Sequence, residues 1–293
     1  MNILRKIQYN QYWNIGFCEQ TPEELILNKQ LKPARWLNHP YRDRWFADQF
    51  IYKVTDNEII VFVEECPIEN PKGIICELVI DRKSMQLKER HVMLDLDTHL
   101  SYPAIISHEG KDYVYPENGV SGKLNIYEYD SINHKLVNPV CILDKAVADA
   151  TIIKRDDRFY MSATKYPDTQ KRVFRYQAYS LFGPFKQVGD NPFQTELSFS
   201  RQGGNYFEAY GSVYRPAQNC EVRYGGALSI MNCSFKQGIQ EKHIYTIKPQ
   251  KGRYGLGLHT INFKDGLCVI DGLGYYYPFL GGVYFCLRRM ITK

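Results

Sequence analysis

Short apolar runs separated by polar turn residues recur along most of this chain. The clearest pair joins residues 50–52 to residues 59–63 across a turn at Asp56 and Asn57. Similar pairs of runs follow at 102–117, 149–163 and 258–272. Runs of this length that are rich in β-branched and aromatic residues predict β-strands. No segment carries a sustained helical period, so the pattern predicts an all-β protein.

The runs belong to a longer unit of four short strands that repeats with a period of roughly 50 residues. Five such units can be marked, and the fourth is the least regular. Their approximate bounds are 45–95, 99–144, 147–190, 199–247 and 255–289. Four-strand units at this period are typical of β-propeller blades. The sequence therefore predicts a single domain over residues 1–293, folded as a five-bladed β-propeller with four strands per blade.

A further strand-like run, at residues 12–17, is predicted to complete the fifth blade. The fifth unit ends near Lys293 with three clear strands, the last of them at 283–287. The N-terminal run would supply the fourth strand and close the ring, which protects an otherwise open sheet edge. The competing fold, two β-sandwiches, would need a dividing linker that the sequence does not show.

The composition and charge of the chain mainly exclude certain classes of function. The net charge is +5 and no run is rich in Lys or Arg, so a nucleic-acid partner is not expected. The N-terminus is too short and too polar for a signal peptide, and no apolar run reaches membrane length. The 8 cysteines form no CxxC pair and mostly lie in strand-like runs, which predicts reduced, buried thiols rather than a zinc site. We therefore expect a cytoplasmic protein without membrane insertion.

The repeat brings distant polar residues together. In a propeller the first strand of every blade lines the central channel, and the starts of these strands face one mouth of the channel. Four first-strand residues are therefore expected around a single funnel: Asp48, Tyr102, Asp149 and His259. Carboxyl groups crowded into an apolar funnel push one another's pKa values apart, which suits acid and base roles at one pH.

The ends of the second strands are expected near the same face. Glu117 and Asp271 are two of these ends. Glu64 and Glu65 are adjacent and point to opposite faces of their strand, so one of them should be solvated. We take Glu65 as the substrate-binding candidate.

The fourth unit offers two arginines to the funnel, Arg201 and Arg215. Arg215 could pair internally with an acid such as Asp149, or it could bind an anionic substrate, because a guanidinium matches the fork of a carboxylate. Trp45 and Tyr224, like Tyr102, could stack on the faces of sugar rings.

Two of the acids lie in motifs that resemble the family 43 glycoside hydrolases, which are five-bladed propellers. Asp48 lies in Ala-Asp-Gln-Phe-Ile and Asp149 in Asp-Ala-Thr-Ile-Ile. The resemblance implies that Asp48 is a general base, that Asp149 tunes pKa values and orients the sugar, and that a glutamate is the general acid. The fourth unit has no clear glutamate in the expected place, since neither Glu196 nor Glu208 lies in a convincing motif. Glu117 of the second unit is the substitute.

A second resemblance covers nearly the whole chain. It rests on motifs whose order and spacing together are specific: Trp13-Asn14-Ile15-Gly16, Trp45-Phe46-Ala47-Asp48, Leu100-Ser101-Tyr102-Pro103, Tyr115-Pro116-Glu117, residues 214–220 and Leu258-His259-Thr260. Together they resemble the propeller domain of glucosamine inositolphosphorylceramide transferase-type proteins. The plant-type members carry a separate glycosyltransferase domain, for which no counterpart is expected here. The resemblance implies a carbohydrate-related propeller and does not by itself imply catalysis.

We therefore expect a glycan-active propeller of the inverting glycoside hydrolase type, with Asp48 as base, Asp149 as modulator and Glu117 as acid, the acid and base being roughly 6.5–9.5 Å apart. The expected substrate-binding residues are Trp45, Glu65, Tyr102, Arg201, Arg215, Gln218, Tyr224, His259 and Asp271. The alternative is a non-catalytic module that recognises a carbohydrate beside a glycosyltransferase in polysaccharide or glycolipid synthesis. No cofactor is expected, although the acids leave room for a bound cation.

Overall fold

The computed structural model describes residues 11–235, 239–277 and 283. These residues form five four-stranded antiparallel sheets arranged as the blades of a propeller. The predicted all-β, five-bladed architecture is confirmed, with the ring closed by an N-terminal strand.

The strands of blades 1 to 4 follow the chain from the innermost to the outermost position. Before them come β1 (Gln11–Cys18), the helix α1 (Pro22–Asn28) and β2 (Arg35–Trp36). Blade 1 holds β3 (Arg44–Val54), β4 (Glu58–Pro67), β5 (Ile74–Asp81) and β6 (Leu87–Leu94). Blade 2 holds β7 (Ser101–His108), β8 (Lys111–Glu117), β9 (Leu124–Asp130) and β10 (Lys135–Leu143). Blade 3 holds β11 (Val147–Arg155), β12 (Arg158–Lys165), β13 (Val173–Ala178) and β14 (Lys186–Gln187), and blade 4 holds β15 (Phe207–Ala209), β16 (Ser212–Asn219), β17 (Ala227–Ser234) and β18 (Gln240–Ile247).

Blade 5 combines segments that are far apart in sequence. β19 (Ile261–Lys264) and β20 (Leu267–Tyr275) form its inner half, and β1 pairs antiparallel with β20 along its whole length. β1 is the third strand of this sheet rather than the predicted fourth, because β2 pairs with its free edge. The third strand predicted at 283–287 lies, apart from residue 283, outside the described residues.

The segment before residue 44, expected to be irregular apart from one strand, also contains α1. Thr21 and Glu24 form a capping box, in which each side chain accepts a hydrogen bond from the backbone N–H of the other residue. Leu25 of this helix is buried in the core shared by blades 4 and 5. Within the described ranges, no helix has the length and apolar character needed to span a bilayer.

Apolar side chains fill the space between neighbouring blades. Ile15 and Phe17 of β1 belong to one cluster with Phe46 and Ile59 of blade 1. The cluster therefore fastens the closing strand to the first blade as well as to β20. Because burial of apolar surface is the main favourable contribution to folding, this packing stabilises the closed ring beyond its hydrogen bonds.

The innermost strands of blades 1 to 3 share one local distortion. Each has a β-bulge near its start, at Asp48, Tyr102 and Asp149 respectively. These three residues have φ values of 51°, 47° and 47°, which lie in the left-handed region that side chains other than glycine seldom adopt. A bulge re-aims the side chain that it carries, so the same distortion turns one polar residue of each blade inward.

Replacing Ile15 by alanine tests the ring closure. The side chain is 0% exposed, so the substitution leaves a cavity and should lower the free energy of unfolding by about 2–5 kcal/mol, measured by chemical denaturation. Ile132→Ala, at a side chain that is 87% exposed, is the control and should change stability by less than about 0.5 kcal/mol. Equal stabilities of the two variants would contradict the packing role of β1.

Candidate active site at the mouth of the propeller

At the mouth, each second strand places one polar residue opposite the start of its first strand or, in blades 4 and 5, opposite the segment before that strand. The facing pairs are Ala47 with Glu64, Ser101 with Glu117, Ala148 with Thr164, Arg201 with Gln218 and Thr260 with Asp271. All five second-strand residues are buried. With Asp48 and Asp149 from the bulges, they form a polar cluster that joins all five blades.

Residues of blade 5 hold Asp48 in place. The hydroxyl of Thr260 donates to Oδ1 of Asp48 at 2.9 Å, and Nε2 of His259 lies 3.3 Å from the same oxygen. On the far side of the imidazole, Nδ1 lies 2.6 Å from Oδ2 of Asp271. Asp271 also accepts hydrogen bonds from the backbone N–H groups of His259 and Thr260, at 2.8 and 3.1 Å. His259 is thus clamped between two carboxyl groups.

This arrangement raises the pKa values of both Asp48 and His259. Burial raises the pKa of Asp48, His259 partly offsets that rise, and the charges of Asp149 and Asp271 add to it. For His259, burial alone would lower the pKa, but the carboxylates of Asp271 and Asp48 outweigh burial and raise it. The shift of His259 favours a protonated imidazole, and its charge opposes the effect of burial on the pKa of Asp48.

Asp149 is held by the fourth blade. Its Oδ2 accepts from Nε of Arg201 at 2.5 Å and from Nε2 of Gln218 at 2.9 Å, and its Oδ1 accepts from Nη2 of Arg201 at 3.2 Å. Burial raises the pKa of Asp149 to about 7, with Arg201 opposing the rise and the carboxylate of Glu117 adding to it. The predicted modulator is therefore a buried acid that titrates near neutral pH.

Glu117, the predicted general acid, accepts hydrogen bonds on both oxygens. Oε1 accepts from the hydroxyl of Tyr166 at 2.5 Å, and Oε2 accepts from the backbone N–H of Asp149 at 3.1 Å. Nη2 of Arg201 lies 3.6 Å from Oε2. Both oxygens of Glu117 are therefore occupied as acceptors, and the side chain orients Asp149 and Arg201.

Among the residues that the structure describes, Glu64 is the acid of the mouth without a cationic side chain in direct contact. Burial raises the pKa of Glu64 well above its ordinary value, and the charges of Asp48, Glu117 and Asp149 raise it further. Nε2 of His99 lies 3.3 Å from Oε1 of Glu64, while Nδ1 of His99 accepts from the backbone N–H of Gly73 at 2.8 Å. Because Nδ1 is an acceptor, Nε2 carries the proton of the neutral imidazole. Burial and the neighbouring carboxyl groups thus favour the protonated form of Glu64. The sequence analysis left the role of this residue open.

Glu65, the residue of the adjacent pair chosen as the substrate-binding candidate, is not in the site. Its carboxylate is fully buried on the other face of β4, where it accepts from Arg44 and forms a bidentate pair with Arg90. Neither glutamate is solvated, because both faces of β4 are covered.

A second β-bulge explains the wrong choice between the two glutamates. In blades 2 and 3 the inner hairpin has one bulge and a short turn, whereas blade 1 has a longer turn and an additional bulge between Ile51 and Lys53. With the longer turn alone, Glu65 would pair with Ala47. The additional bulge moves the register by one residue, which exchanges the two faces of the strand and brings Glu64 opposite Ala47.

Two other predicted substrate-binding residues are structural. The guanidinium of Arg215 is fully buried and pairs with Glu241, with a further bond to Oε1 of Gln202 at 2.8 Å. It is therefore an internal partner, and the acid is not Asp149. Tyr102 is fully buried, and its hydroxyl bonds to Oγ1 of Thr151 at 2.9 Å and accepts from the N–H of Gly204 at 2.8 Å. It cannot stack on a sugar.

An aromatic rim lies beside the acids. Trp45 and Tyr224 line a cavity of about 300 Å³ together with Trp13, a residue quoted in a motif but not assigned to the site. The indole of Trp13 stacks on His259 at 4.1 Å, and Tyr224 meets the same imidazole edge-on at 5.6 Å. The guanidinium of Arg201 lies 5.3 Å from the Tyr224 ring. The rim thus connects directly to the charged cluster.

A larger cavity of about 460 Å³ lies elsewhere, beside Tyr12, His39 and Arg253. Its lining among the described residues contains aromatic and basic side chains and no carboxyl group. It therefore cannot supply paired acid and base groups, and the mouth remains the candidate active site.

The mouth could also hold a cation. Asp48, His259 and Asp271 each offer one donor atom, and these atoms lie within 4.8 Å of one another. Carboxylate oxygens and a neutral imidazole are suitable ligands, but a bound ion would replace the proton that the two carboxylates favour on His259.

With this site the fold defines a class: a five-bladed propeller with acids at its central mouth. Solved structures with this fold include a family 117 glycoside hydrolase from Zobellia galactanivorans, at 12% identity and a TM-score of 0.57, covering 90% of this chain and 91% of that one. A thermostable family 43 glycoside hydrolase matches at 16% identity and a TM-score of 0.55, covering 75% of this chain and 84% of that one. At these identities the likeness shows the fold alone.

The sequence comparisons identify the family. The profile described as "Glucosamine inositolphosphorylceramide transferase 1, N-terminal" matches residues 24–254, and the chain belongs to this family. Proteins named glucosamine inositolphosphorylceramide transferase 1 are 25% identical over 206 residues in Oryza sativa subsp. japonica and 25% identical over 211 residues in Arabidopsis thaliana. These matches cover 68% and 70% of this chain but only 28% of each relative.

Asp149→Asn tests the titration of the cluster. The pKa of Asp149 in the folded state is about 7, above the value of about 3.9 in an unfolded chain, so folding takes up a proton between these pH values. The contribution of Asp149 to stability should therefore fall by up to roughly 1.4 kcal/mol per pH unit as the pH rises from about 4 to 7, and then level off. Asparagine does not ionise. Urea denaturation across this range should therefore show that the free energy of unfolding of the variant rises relative to that of the wild type as the pH increases. Parallel profiles would show that Asp149 is ionised throughout.

Proposed function

We propose that the mouth of the propeller processes a glycan, cleaving a glycosidic bond with inversion through paired carboxyl groups. The observation that supports this most is the asymmetry between two buried acids on neighbouring strands. Asp48 has His259 as a cationic partner, whereas Glu64 faces three carboxyl groups. One group is therefore suited to accept a proton and the other to donate one at the same pH.

The proposed roles follow from these contacts. Glu64 gives its proton to the leaving oxygen of the glycosidic bond, while Asp48 takes a proton from the water that attacks the anomeric carbon. Asp149, oriented by Glu117 and Arg201, faces the same cluster and would bind hydroxyl groups of the sugar. Glu64 thus replaces Glu117 in the proposed role of general acid.

The aromatic rim supplies the proposed sugar platform. Tyr224 is 39% exposed and lies above both His259 and Arg201. The cavity that it lines with Trp45 is at the lower end of the volumes found for ligand pockets, which begin at about 300 Å³. A sugar ring held there would have the acids below it.

A second candidate function is recognition without catalysis, beside a glycosyltransferase that acts on a polysaccharide or a glycolipid headgroup. Arg201 favours it, because the fourth blade brings this guanidinium to the mouth, whereas the family 43 resemblance implies a glutamate in that blade. A guanidinium stays protonated and cannot act as a general acid. The relatives are named as transferases, and the matched region is a minor part of their length, which fits a supporting domain.

Sugar release separates the two functions. The wild type and the variants Asp48→Asn and Glu64→Gln are incubated with a panel of oligosaccharides and polysaccharides, and binding to the same panel is measured in parallel. We expect release by the wild type and a loss of at least 100-fold in each variant, in keeping with the size of general acid–base effects, about 10²–10⁴-fold.

Glu58→Gln is the matched control, because Glu58 lies on the same strand as Glu64 and pairs at the surface with Lys88. It should retain full activity. Binding without release by any of the proteins, with weaker binding by Tyr224→Ala, would reject the hydrolase and support the recognition module.

A further inference from the structure

A second cluster of ionisable side chains lies between the outer strands of blade 1 and the neighbouring blade. Glu77 of β5 and His91 of β6 face each other across the sheet, and the turn between β9 and β10 supplies His134. The Glu77 carboxyl is buried, whereas both imidazoles are partly exposed. Two blades therefore meet at a polar contact that solvent can reach.

The donor atoms of this cluster are close together. Nδ1 of His134 lies 2.9 Å from Oε1 of Glu77, and one donor atom of each residue lies within 4.8 Å of the other two. Around a tetrahedral zinc ion with bonds of about 2.0–2.1 Å, neighbouring donors are roughly 3.3 Å apart. Both histidines are partly exposed, so their side chains have room to rotate toward that spacing.

The two histidines are in direct contact with each other. Their rings stack at 3.9 Å with an angle of 7° between their planes. A metal ion lies in the plane of each imidazole that binds it, so both rings would turn out of this parallel arrangement when an ion binds.

Surrounding groups orient the donors. Nε2 of His91 lies 3.0 Å from Oε2 of Glu89, and donation of the Nε2 proton to this oxygen would leave the lone pair of Nδ1 for a metal ion. The hydroxyl of Tyr129 donates to the other oxygen of Glu77. Asp130 accepts from two backbone N–H groups of the turn that carries the second histidine. Carboxylates that hold ligating histidines in this way are a regular feature of metal sites.

We propose that Glu77, His91 and His134 bind one Zn²⁺ ion that fastens blade 1 to blade 2. Two imidazoles and one carboxylate form a ligand set used for zinc, with the fourth position open to water. The cluster contains no cysteine, so the argument from cysteine spacing does not apply to it. The local charge is also suitable, because the ammonium of Lys135 is directed to the carbonyl oxygen of Val92 at 2.7 Å.

Calorimetric titration of the chelator-treated full chain with Zn²⁺ tests this site. We expect one equivalent to bind, and each of His91→Gln and His134→Gln to weaken binding by at least 100-fold. Glu89→Gln leaves the three ligands in place and should weaken binding by about 10-fold, within the range seen for groups that orient ligands. Because the ion binds only the folded state, Zn²⁺ should raise the Tm of the wild type and not that of the two histidine variants.

His243→Gln is the matched control, since this imidazole is exposed on β18 and contacts Thr246. It should bind Zn²⁺ as the wild type does. Circular dichroism confirms that each variant is folded, and the buried Glu77 is left unchanged for that reason. No binding by the wild type, or equal binding by both histidine variants, would overturn the proposal, and equal binding would place the ion at another cluster such as Asp48, His259 and Asp271.

Discussion

Two cations shared among five buried carboxyl groups determine the chemistry of this propeller. The acids are Asp48, Glu64, Glu117, Asp149 and Asp271. Among the described residues, Arg201 contacts Asp149 and Glu117, and His259 contacts Asp48 and Asp271. Closely spaced carboxyl groups in a buried site cannot all ionise. Glu64 has the neutral His99 as its neighbour, and burial with the charges of the other acids raises its pKa well above the ordinary value, which favours its protonated form.

The fold creates this shortage of cations by bringing all five blades to one mouth. The bulges at Asp48 and Asp149 turn two carboxyl groups inward, while the same bulge in blade 2 carries Tyr102 and adds no charge. Positive φ values at three non-glycine residues cost free energy that the surrounding sheets must supply. Strain of this kind is common at functional sites, which agrees with the proposed role of the cluster.

The architecture was predictable because its signals are local and repeated. Alternating apolar runs, polar turns and a period near the size of one blade predict strands, hairpins and the ring without knowledge of any contact. The same repeat placed Asp48, Asp149, Glu117 and His259 at one mouth, since equivalent positions of equivalent strands face the same way. The polar cluster at the mouth was therefore predictable from the repetition of the blades.

The errors arose where the repeat is locally broken. A single extra bulge in β3 changes its register with β4, and this exchanges the faces of β4 on which Glu64 and Glu65 lie. No turn residue marks that bulge in the sequence. Arg215 was misplaced because its partner, Glu241, lies on the outermost strand of blade 4, where nothing in the sequence signals a buried acid. Which of two adjacent charges is buried, and against what, depends on register and packing that a strand pattern does not encode.

The protonation of Glu64 can be measured without knowledge of the substrate. Infrared difference spectra at pH 7 between the wild type and Glu64→Gln report directly on the carbonyl stretch of a protonated carboxyl group. We expect a protonated-carboxyl band in the wild type that is missing from the variant and persists in Glu58→Gln. A difference spectrum with only carboxylate bands would show that Glu64 is ionised, and the proposed division into acid and base would then be wrong.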